Sequence, residues 1–339
     1  MATSDATSVA PETMRALSVS QIAESFEGCS VRDVPVPKLD ETGLLLKIRA
    51  GSLGFPDLLM TRGGYQYKPT LPFIPGGDVA GEVVAVGSKV SGFSIGDRVV
   101  TAGVGGAFAE YGVYPAARAR KIPDHLDYAE AASVGSAYVT AYVALIRRAN
   151  IKEGEWLLVH GAAGGVGLAA VDLGKHLGAK VIAAASSDEK LKAIKEAYQP
   201  DVLINSSNGF REQVKEVTGG GADVIYDPVG GDVFDESVRC IAFDGRLLVV
   251  GFASGRIPSV SVNMPLIKGF SVVGVRAGEY GRRFPEKGRE NLDEVWRLVG
   301  ERAVTPHVHG VYALDDWRKA FEEMDGRRVI GRVIIDPSK

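Results

Sequence analysis

The sequence predicts an α/β protein of two domains, in which a β-rich domain precedes a doubly wound domain with a parallel sheet. Three observations carry this prediction. A glycine-rich turn, GAAGGVG at residues 161–167, lies between an apolar run and a helical pattern. After it, apolar strands alternate with helices, a pattern that requires a parallel sheet covered on both faces. Before it, short β-like runs separated by glycine turns dominate the chain.

The length and composition indicate an ordinary globular protein. The chain has 339 residues, of which 45% are hydrophobic and 24% charged, which is enough for two domains. A net charge of −3 argues against nucleic acid or an anionic membrane as the main partner. No apolar run approaches the roughly 20 residues that span a bilayer. The two cysteines, Cys29 and Cys240, are too few for a disulfide framework, so we expect a reducing, cytoplasmic location.

The first 13 residues predict a disordered tail. They are rich in Ala, Ser and Thr, and they lack both the apolar core of a signal peptide and the Arg of a transit peptide.

The β-rich domain is predicted to begin at residue 14. A short helix is expected at 57–62, and Gly81 indicates a bulge or a close backbone approach within its strand. The strands expected here lie at 15–19, 29–34, 44–49, 78–87 and 106–113, and residues 92–100 are expected to form a turn that leads into another strand.

The doubly wound domain is predicted over 131–274. A buried helix at 128–148 leads into it. Alternating strands are expected at 181–185, 201–205, 222–227 and 245–251, with helices at 188–198, 209–218 and 232–240. The remainder holds helices at 290–302 and 315–324 and a strand at 332–336. Because it has no core of its own, we expect 275–339 to return to the first domain, completing a discontinuous unit with 14–130.

The glycine turn predicts a phosphate-binding site. Its glycines let the backbone turn sharply and approach a pyrophosphate, which the N–H groups of the new helix can bind. Ala162 replaces the first glycine of the G-x-G-x-x-G pattern, so the turn by itself also fits a packing solution. The candidate cofactor-binding residues of this turn are Ala163, Gly164, Gly165, Val166 and Gly167.

The residues after the second strand of this domain favour NADPH. An NAD-selective site carries an acidic residue there, which binds the ribose 2′-hydroxyl. This chain has Ser186 and Ser187, with Lys190 one turn later, and these groups suit a 2′-phosphate. The alternatives are that Lys190 is only a solvated helix residue and that Asp188 caps the helix. Gly251, at the end of a later strand, either lets a nicotinamide approach or is an ordinary strand-end glycine.

Several motifs together resemble one known family. They are FPDLL at 55–59, GGYQ at 63–66, LPFIPG at 71–76, VAGEV at 79–83, GDRV at 96–99, AGGVG at 163–167, YDPVGG at 226–231 and GRLLVVGF at 245–252. Their order and spacing resemble the zinc-free quinone oxidoreductase branch of the medium-chain dehydrogenase/reductase superfamily, the zeta-crystallin-like reductases. The resemblance covers residues 14–337. It implies a GroES-like β-rich catalytic domain, a Rossmann domain that binds NADPH, and a homodimer joined through the edges of the Rossmann sheets.

The resemblance also implies further cofactor contacts. Ser206 stands where many relatives have Tyr or His beside the adenine phosphate, which weakens that contact. Arg327, Arg328 or Arg332 near the C-terminus is a candidate to compensate for it; the alternative is that these arginines are only solvated. Arg276 is expected to reach the cofactor or the subunit interface. The remaining candidates are Thr140, Phe252, Ala253 and Val275.

No metal site is predicted. In the alcohol dehydrogenase branch a Cys ligand and a Gly-His-Glu occur where this chain has Gly54 and Gly76-Gly77-Asp78. Two distant cysteines cannot form a structural zinc lobe, and the five histidines show no ligand spacing. Without a Lewis acid to polarise an alcohol, reduction of a quinone or of an enone is favoured.

Tyr65 and Gly54 are the candidate catalytic positions. Tyr65 stands where related enoyl reductases carry a tyrosine that is proposed to deliver or orient a proton, and a phenol is a reasonable weak acid. The alternative is that Tyr65 only packs at the cleft mouth. Gly54 replaces the Asn that is usual in the quinone reductases, which removes a hydrogen-bonding group and adds space.

Three functions therefore remain open. The first is NADPH-dependent reduction of quinones or other α,β-unsaturated carbonyls. The second is reduction of the C=C bond of an enoyl or acryloyl thioester. The third is a catalytically weak, NADPH-binding protein of the crystallin type. We expect a small-molecule substrate in the first two cases.

Overall fold

The computed structural model describes residues 10–103 and 105–339, which form two compact units. The first unit comprises the chain up to Gly135 together with Val308–Lys339, and the second is Ser136–His307. The predicted tail falls outside the described residues except for its last four, and Thr13 already begins a strand.

The first unit is a β-structure of short strands, as predicted. A seven-stranded sheet and a separate antiparallel hairpin of the first two strands make up its framework. Its strands are β1 (Thr13–Val19), β2 (Cys29–Pro35), β3 (Gly43–Leu53), β4 (Asp78–Val86), β5 (Arg98–Ala102), β6 (Tyr111–Pro115), β7 (Arg120–Lys121), β14 (Val308–Ala313) and β15 (Arg332–Asp336). The α-helices that lie wholly within the described part of this unit are α1 (Phe55–Thr61) and α10 (Trp317–Asp325).

The long central strand β3 organises this sheet. It pairs antiparallel with β4, β6 and β15, so the last strand of the chain returns to the first unit as expected. Gly81 is a close approach, because a Cβ there would lie 2.4 Å from the carbonyl oxygen of Lys47. The strand predicted at 106–113 is wrong in its first half. Residues before Tyr111 instead cross to β1, where the N–H of Leu17 donates to the oxygen of Phe108.

The second unit is a doubly wound α/β domain. Its strands are β8 (Trp156–Val159), β9 (Lys180–Ala185), β10 (Val202–Asn205), β11 (Ala222–Asp227), β12 (Ile241–Val249) and β13 (Ser271–Gly274). Its helices are α2 (Tyr128–Tyr142, which begins in the first unit), α3 (Gly165–His176), α4 (Asp188–Tyr198), α5 (Arg211–Thr218), α6 (Gly231–Ser237), α7 (Asn263–Lys268), α8 (Ala277–Arg283) and α9 (Pro285–Gly300).

The strand order of this sheet is β10-β9-β8-β11-β12-β13, and every pair is parallel. After β8 the chain adds β9 and then β10 on one side of it. It then returns to the other side of β8, where β11, β12 and β13 follow. The order therefore reverses between β8 and β11. Ligands of such sheets bind outside the carboxyl ends of the strands at that point.

The return to the first unit occurs later than the sequence predicted. Residues 275–307 were expected in the first domain, but they belong to the second unit. The reason is packing: α9 buries Val295, Leu298 and Val299, and the guanidinium of Arg147 donates to the amide oxygen of the buried Asn291 at 2.8 Å. The amphipathic helix therefore buries its apolar side within the second unit.

Helix α2 continues through a π-helical turn, Val143–Arg148, to form one helix of 21 residues. By length and composition this helix is apolar enough to cross a membrane, so the expectation that no such stretch exists is wrong. More than half of its most apolar window is buried inside the protein. Core helices of soluble proteins meet the same criterion, which makes this weak support for a membrane span.

Candidate active site

The glycine turn after β8 is built by close backbone packing. The N–H of Ala162 donates to the oxygen of Ala184 on β9, which ties the turn to the neighbouring strand. A Cβ at position 167 would lie 2.3 Å from the carbonyl oxygen of Gly161, so only glycine lets α3 start this close to the strand. Gly161 itself has φ +55, a conformation that favours glycine.

The start of α3 fits a phosphate group. Gly164 is the N-cap and has no side-chain cap, and the first N–H groups of a helix have no intrahelical partner. A Cβ at position 164 would meet nothing closer than the oxygen of Gly161 at 3.4 Å, so that side of the turn is open. Backbone donors at a helix N-terminus with open space before them are the usual cradle of an anion. The structure thus brings together the five predicted residues of the turn, Ala163, Gly164, Gly165, Val166 and Gly167.

The residues predicted to select NADPH lie where β9 ends and α4 begins. Ser186 is exposed, and Ser187 is the N-cap of α4, its hydroxyl accepting from the N–H of Lys190 at 3.4 Å. The alternative that Asp188 caps the helix is wrong. The carboxylate of Asp188 instead accepts from the side-chain amide of Asn205 at 2.7 Å, at the end of β10.

The turn that follows β11 is held by the side chain of Asp227. This buried carboxylate accepts from the N–H groups of Val229 and Gly230 at 2.8 and 2.9 Å. Burial raises the pKa of Asp227 above its ordinary value, against the effect of those two donors. Next to it, the N–H of Ala253 donates to the oxygen of Pro228, and a Cβ on Gly251 would lie 3.2 Å from that same oxygen. Gly251 therefore packs closely against the β11 turn.

The other predicted contacts of the second unit lie after β10, β12 and β13 and on α2. Val275 is buried and donates its N–H to the oxygen of Val249 at 2.9 Å, directly after β13. Arg276 is exposed and lines a cavity of about 170 Å³ with Arg148 and Tyr280. The remaining positions are Phe252, which is 37% exposed, Ser206 in the short turn after β10, and Thr140, whose hydroxyl donates to the oxygen of Ser136.

Arg332 lies in the first unit, in a buried polar cluster. Its Nε donates to the hydroxyl of Ser52 at 2.9 Å, and its Nη2 contacts the carboxylate of Asp78 at 3.1 Å. The two charged side chains are 11% and 6% exposed. The sequence proposed Arg332 as a cofactor contact; the structure shows its ion pair with Asp78, and its contact with the cofactor stays a prediction.

Asp57 lies beside this pair and holds two loops. Its Oδ2 accepts from the N–H of Gly54 at 2.8 Å, and its Oδ1 accepts from the N–H of Gly76 at 2.8 Å. Burial raises the pKa of the carboxyl to about 6, against the lowering effects of the two N–H donors and of Arg332. Sequence reasoning gave no role to Asp57 or Asp78. The sequence did contain a signal for this pair. Two buried strands each begin with a charged residue of opposite sign, Asp78 on β4 and Arg332 on β15.

Gly54 and Tyr65 flank α1. A Cβ at position 54 would lie at 3.4–3.5 Å from atoms of Pro56, Arg332 and Asp57, which is ordinary van der Waals contact. Glycine is thus not required by sterics there, and the position has room for a methyl group in contact with the cluster. Tyr65 is half-buried in the turn that follows the helix.

No metal-binding group of three or more His, Cys, Asp or Glu side chains exists among residues 10–103 and 105–339. Cys29 and Cys240 are both buried and reduced, and they lie in different units. Burial lowers the pKa of His160 to about 3, so its ring is neutral and hydrogen-bonds to the Ser237 hydroxyl at 2.9 Å. His309 accepts from the N–H of Ile330 at 3.2 Å.

Comparisons with known proteins match both units. The model of the alcohol dehydrogenase GroES-like domain matches residues 40–124, and that of the zinc-binding dehydrogenase matches residues 165–298. Among solved structures, a mycobacterial protein in complex with NADPH is 32% identical with a TM-score of 0.87, over 96% of this chain and 100% of that one. A quinone oxidoreductase from Pseudomonas syringae is 30% identical with a TM-score of 0.85, over the same shares.

Curated relatives carry similar names. A quinone oxidoreductase-like protein 2 homolog of Nematostella vectensis is 40% identical over 293 residues, which is 85% of this chain and 80% of that protein. The human quinone oxidoreductase is 34% identical over 244 residues, covering 71% and 73% of the two chains.

The fold and site define a nicotinamide-dependent oxidoreductase with a GroES-like and a Rossmann domain. Within that class, the chain belongs to the zeta-crystallin-like quinone oxidoreductase family of the medium-chain dehydrogenase/reductase superfamily.

Proposed function

We propose that this protein is a zinc-independent, NADPH-dependent reductase of quinones or other α,β-unsaturated carbonyls. The observation that carries the proposal lies at the edge of the sheet in the second unit. There the open glycine turn at the start of α3 is next to the end of β9, which is followed by Ser186 and not by an acidic residue. The likeness to quinone oxidoreductases and to a protein solved with NADPH supports it.

NADPH is favoured over NADH by the groups around Ser186. A 2′-phosphate placed there meets two serine hydroxyls and the positive end of the α4 dipole. The nearby carboxylate of Asp188 is engaged by Asn205, which holds it toward β10. Lys190 lies in the first turn of the same helix and adds a positive charge.

Kinetics with both cofactors test this assignment. Replacing Lys190 with Ala is expected to raise the KM for NADPH about tenfold while leaving the KM for NADH within about twofold, since a single charge–phosphate contact contributes about 1.4 kcal/mol. Lys192→Ala, two residues further along the same helix, is the matched control. Unchanged constants for both cofactors in the Lys190→Ala protein would contradict the assignment.

Zinc independence is proposed from the donor set of this chain. The positions that carry metal ligands in the alcohol dehydrogenase branch hold Gly54 and Gly77, neither of which has a side chain to coordinate with. Activity that survives prolonged dialysis against a chelator, with no zinc by elemental analysis, is the expected result.

The chain's own residues then have the following tasks. The bound cofactor supplies the hydride. The glycine turn binds its pyrophosphate through backbone N–H groups. Gly251 lets the nicotinamide approach the end of β12. For an enone, Tyr65 donates or orients the proton that the α carbon requires after hydride addition; for a quinone, its hydroxyl hydrogen-bonds to a quinone oxygen.

A substrate panel distinguishes the candidate reactions. NADPH oxidation is measured with 1,2-naphthoquinone, 9,10-phenanthrenequinone, an enone and an acryloyl thioester. Turnover of the quinones or the enone supports the proposal, and turnover of the thioester alone supports the C=C reductase alternative. Tight NADPH binding without turnover of any of these substrates would support the third candidate, a catalytically weak NADPH-binding protein of the crystallin type. Tyr65→Phe is expected to slow enone reduction by about tenfold, in the range of general acid catalysis.

We also propose a homodimer joined at the edge of the Rossmann sheet. Strand β13 ends the sheet and is largely exposed, and α7 beside it exposes Leu266 and Ile267 by 82% and 72%. An exposed apolar sheet edge is an aggregation hazard unless it is covered, and a second copy covers it symmetrically. Sedimentation should show a dimer for the parent protein and a monomer for Leu266→Glu; a parent protein that sediments as a monomer contradicts the proposal.

A further inference from the structure

The carboxylate of Asp57 joins two separate segments of the first unit. One of its hydrogen bonds, from the N–H of Gly54, is the usual reciprocal cap of a short helix. The other, from the N–H of Gly76, comes from a segment 19 residues further along the chain and contributes nothing to the helix. Each oxygen of the carboxylate holds one of the two donors.

Gly76 is held tightly on its other side as well. It has φ +91, and a Cβ there would lie 2.7 Å from the Cβ of Ala107. The N–H of Ala107 donates to the oxygen of Gly76 at 3.2 Å. The backbone at Gly76 is therefore fixed between Ala107 and Asp57, so a change at Asp57 displaces this segment or leaves a buried N–H without an acceptor.

We propose that Asp57 is a positioning residue for the reduction: its two oxygens clamp the backbone at Gly54 to the backbone at Gly76 and so fix the loop that carries the candidate catalytic position. This inference rests on the proposed function, because it assigns Asp57 a task in that reaction. Asp57 touches neither substrate nor cofactor in this role.

The clamp requires the ionised carboxylate. Charged groups face Asp57 from two strands, Arg332 from β15 and Asp78 from β4; Arg332 favours the ionised form and Asp78 opposes it. Protonation places a hydrogen on one oxygen, which makes that oxygen a poorer acceptor and weakens its bond from the backbone N–H. Since the pKa of Asp57 is raised to about 6, the clamp is closed above that pH and opens below it.

Asp172 provides a matched control in the second unit. It too is a largely buried carboxyl with a pKa raised to about 6 by desolvation. Both of its donors, the Tyr138 hydroxyl at 2.6 Å and the N–H of Thr305 at 2.7 Å, bond to the same oxygen, Oδ2. An amide side chain keeps one acceptor oxygen, so it can satisfy both donors of Asp172 but only one of the two donors of Asp57.

The experiment compares Asp57→Asn with Asp172→Asn in the full-length protein. Quinone reduction is measured as kcat and KM from pH 5 to 8, and hydrogen exchange is measured in peptides that contain Gly54 or Gly76. We expect kcat of Asp57→Asn to fall about tenfold or more, in line with the sensitivity of catalysis to small misplacements, and exchange of both glycine peptides to quicken. Asp172→Asn should keep kcat within about twofold.

The pH dependence gives a second arm that needs no variant. In the parent protein, kcat should fall below about pH 6 while exchange at the two glycines, corrected for its intrinsic pH dependence, rises. The Asp57→Asn protein should lack this acid limb. Unchanged exchange at Gly54 and Gly76 in both arms, or equal losses of kcat in the two variants, overturns the clamp. A parent protein that reduces no member of the panel overturns the proposed function instead, and the exchange data still decide whether the clamp exists.

Discussion

The glycine turn of the second unit and the Gly54–Gly76 region of the first are both backbone sites, but they are held by different forces. In the turn, Gly167 fits because any side chain would clash with the oxygen of Gly161. In the other region, Gly54 has room for a Cβ, and the buried carboxylate of Asp57 holds the backbone. The first site is therefore sensitive to size and indifferent to pH, whereas the second is sensitive to charge.

The largest effect is expected from breaking the charged cluster. Arg332→Met leaves Asp78 buried without the guanidinium, and removing one partner of a buried ion pair typically costs about 3–5 kcal/mol of unfolding free energy. Chemical denaturation measures this loss. Arg328→Met, which removes an arginine from the exposed pair with Glu323, should cost less than about 1 kcal/mol. Equal costs for the two variants would mean that the cluster does not hold the first unit by charge.

A large effect on cofactor affinity is expected from the turn. Gly167→Ala forces the helix start away from the strand, and NADPH affinity should fall about a hundredfold, which corresponds to roughly 2.7 kcal/mol. Fluorescence titration with NADPH gives the dissociation constant. Gly164→Ala, where a Cβ has space, is the comparison and should lose no more than about tenfold. If the alanine at 164 is the more harmful of the two, steric packing does not shape this site.

A smaller effect on the unfolding free energy is expected at Asp172. This residue tests whether a buried carboxylate destabilises the fold where its negative charge is not needed to hold two segments together. Its folded pKa of about 6 lies above the ordinary 3.8, so Asp172 stays protonated to a higher pH in the native state than in the unfolded chain. Stability from this group is full below about pH 4 and declines as the pH rises to about 6. Asp172→Asn should therefore raise the unfolding free energy at pH 7 by about 1–2 kcal/mol, after allowance for its partial exposure, and leave it unchanged at pH 4. A destabilised variant at pH 7 would show that the ionised form is required.

The smallest effect is expected at Gly54. Gly54→Ala should gain about 0.4–1 kcal/mol of unfolding free energy, because alanine restricts the unfolded chain. It should lose a similar amount, because alanine is a poorer N-cap than glycine. The melting temperature should stay within a few degrees of the parent value. A loss of more than 10 °C would mean that glycine is required here by packing, as it is at position 167.

The sequence was most informative where structure is local. The order of strands and helices in the second unit follows from alternating apolar runs and turns, and the helix Asp188–Tyr198 was predicted with its bounds. Errors occurred where a tertiary contact overrides the local pattern. Residues 106–109 look like a strand, but Phe108 and Ala109 meet the hairpin strand β1, and the N–H groups of residues 106–108 donate to the segment at 74–76. The return segment was assigned to the wrong unit because nothing local shows which core an amphipathic helix such as α9 covers.

For the candidate site, the sequence by itself predicted the cofactor side, since the residues of the glycine turn and of the α4 start are contiguous and their chemistry can be inferred from their spacing. Only the tertiary structure revealed the cluster of Asp57, Asp78 and Arg332, because Arg332 on β15 lies 254 positions after Asp78 on β4, and the two strands come together by pairing with β3. A buried charge is stable only with its partners, and those partners are chosen by the folded sheet, not by the spacing of residues along the chain.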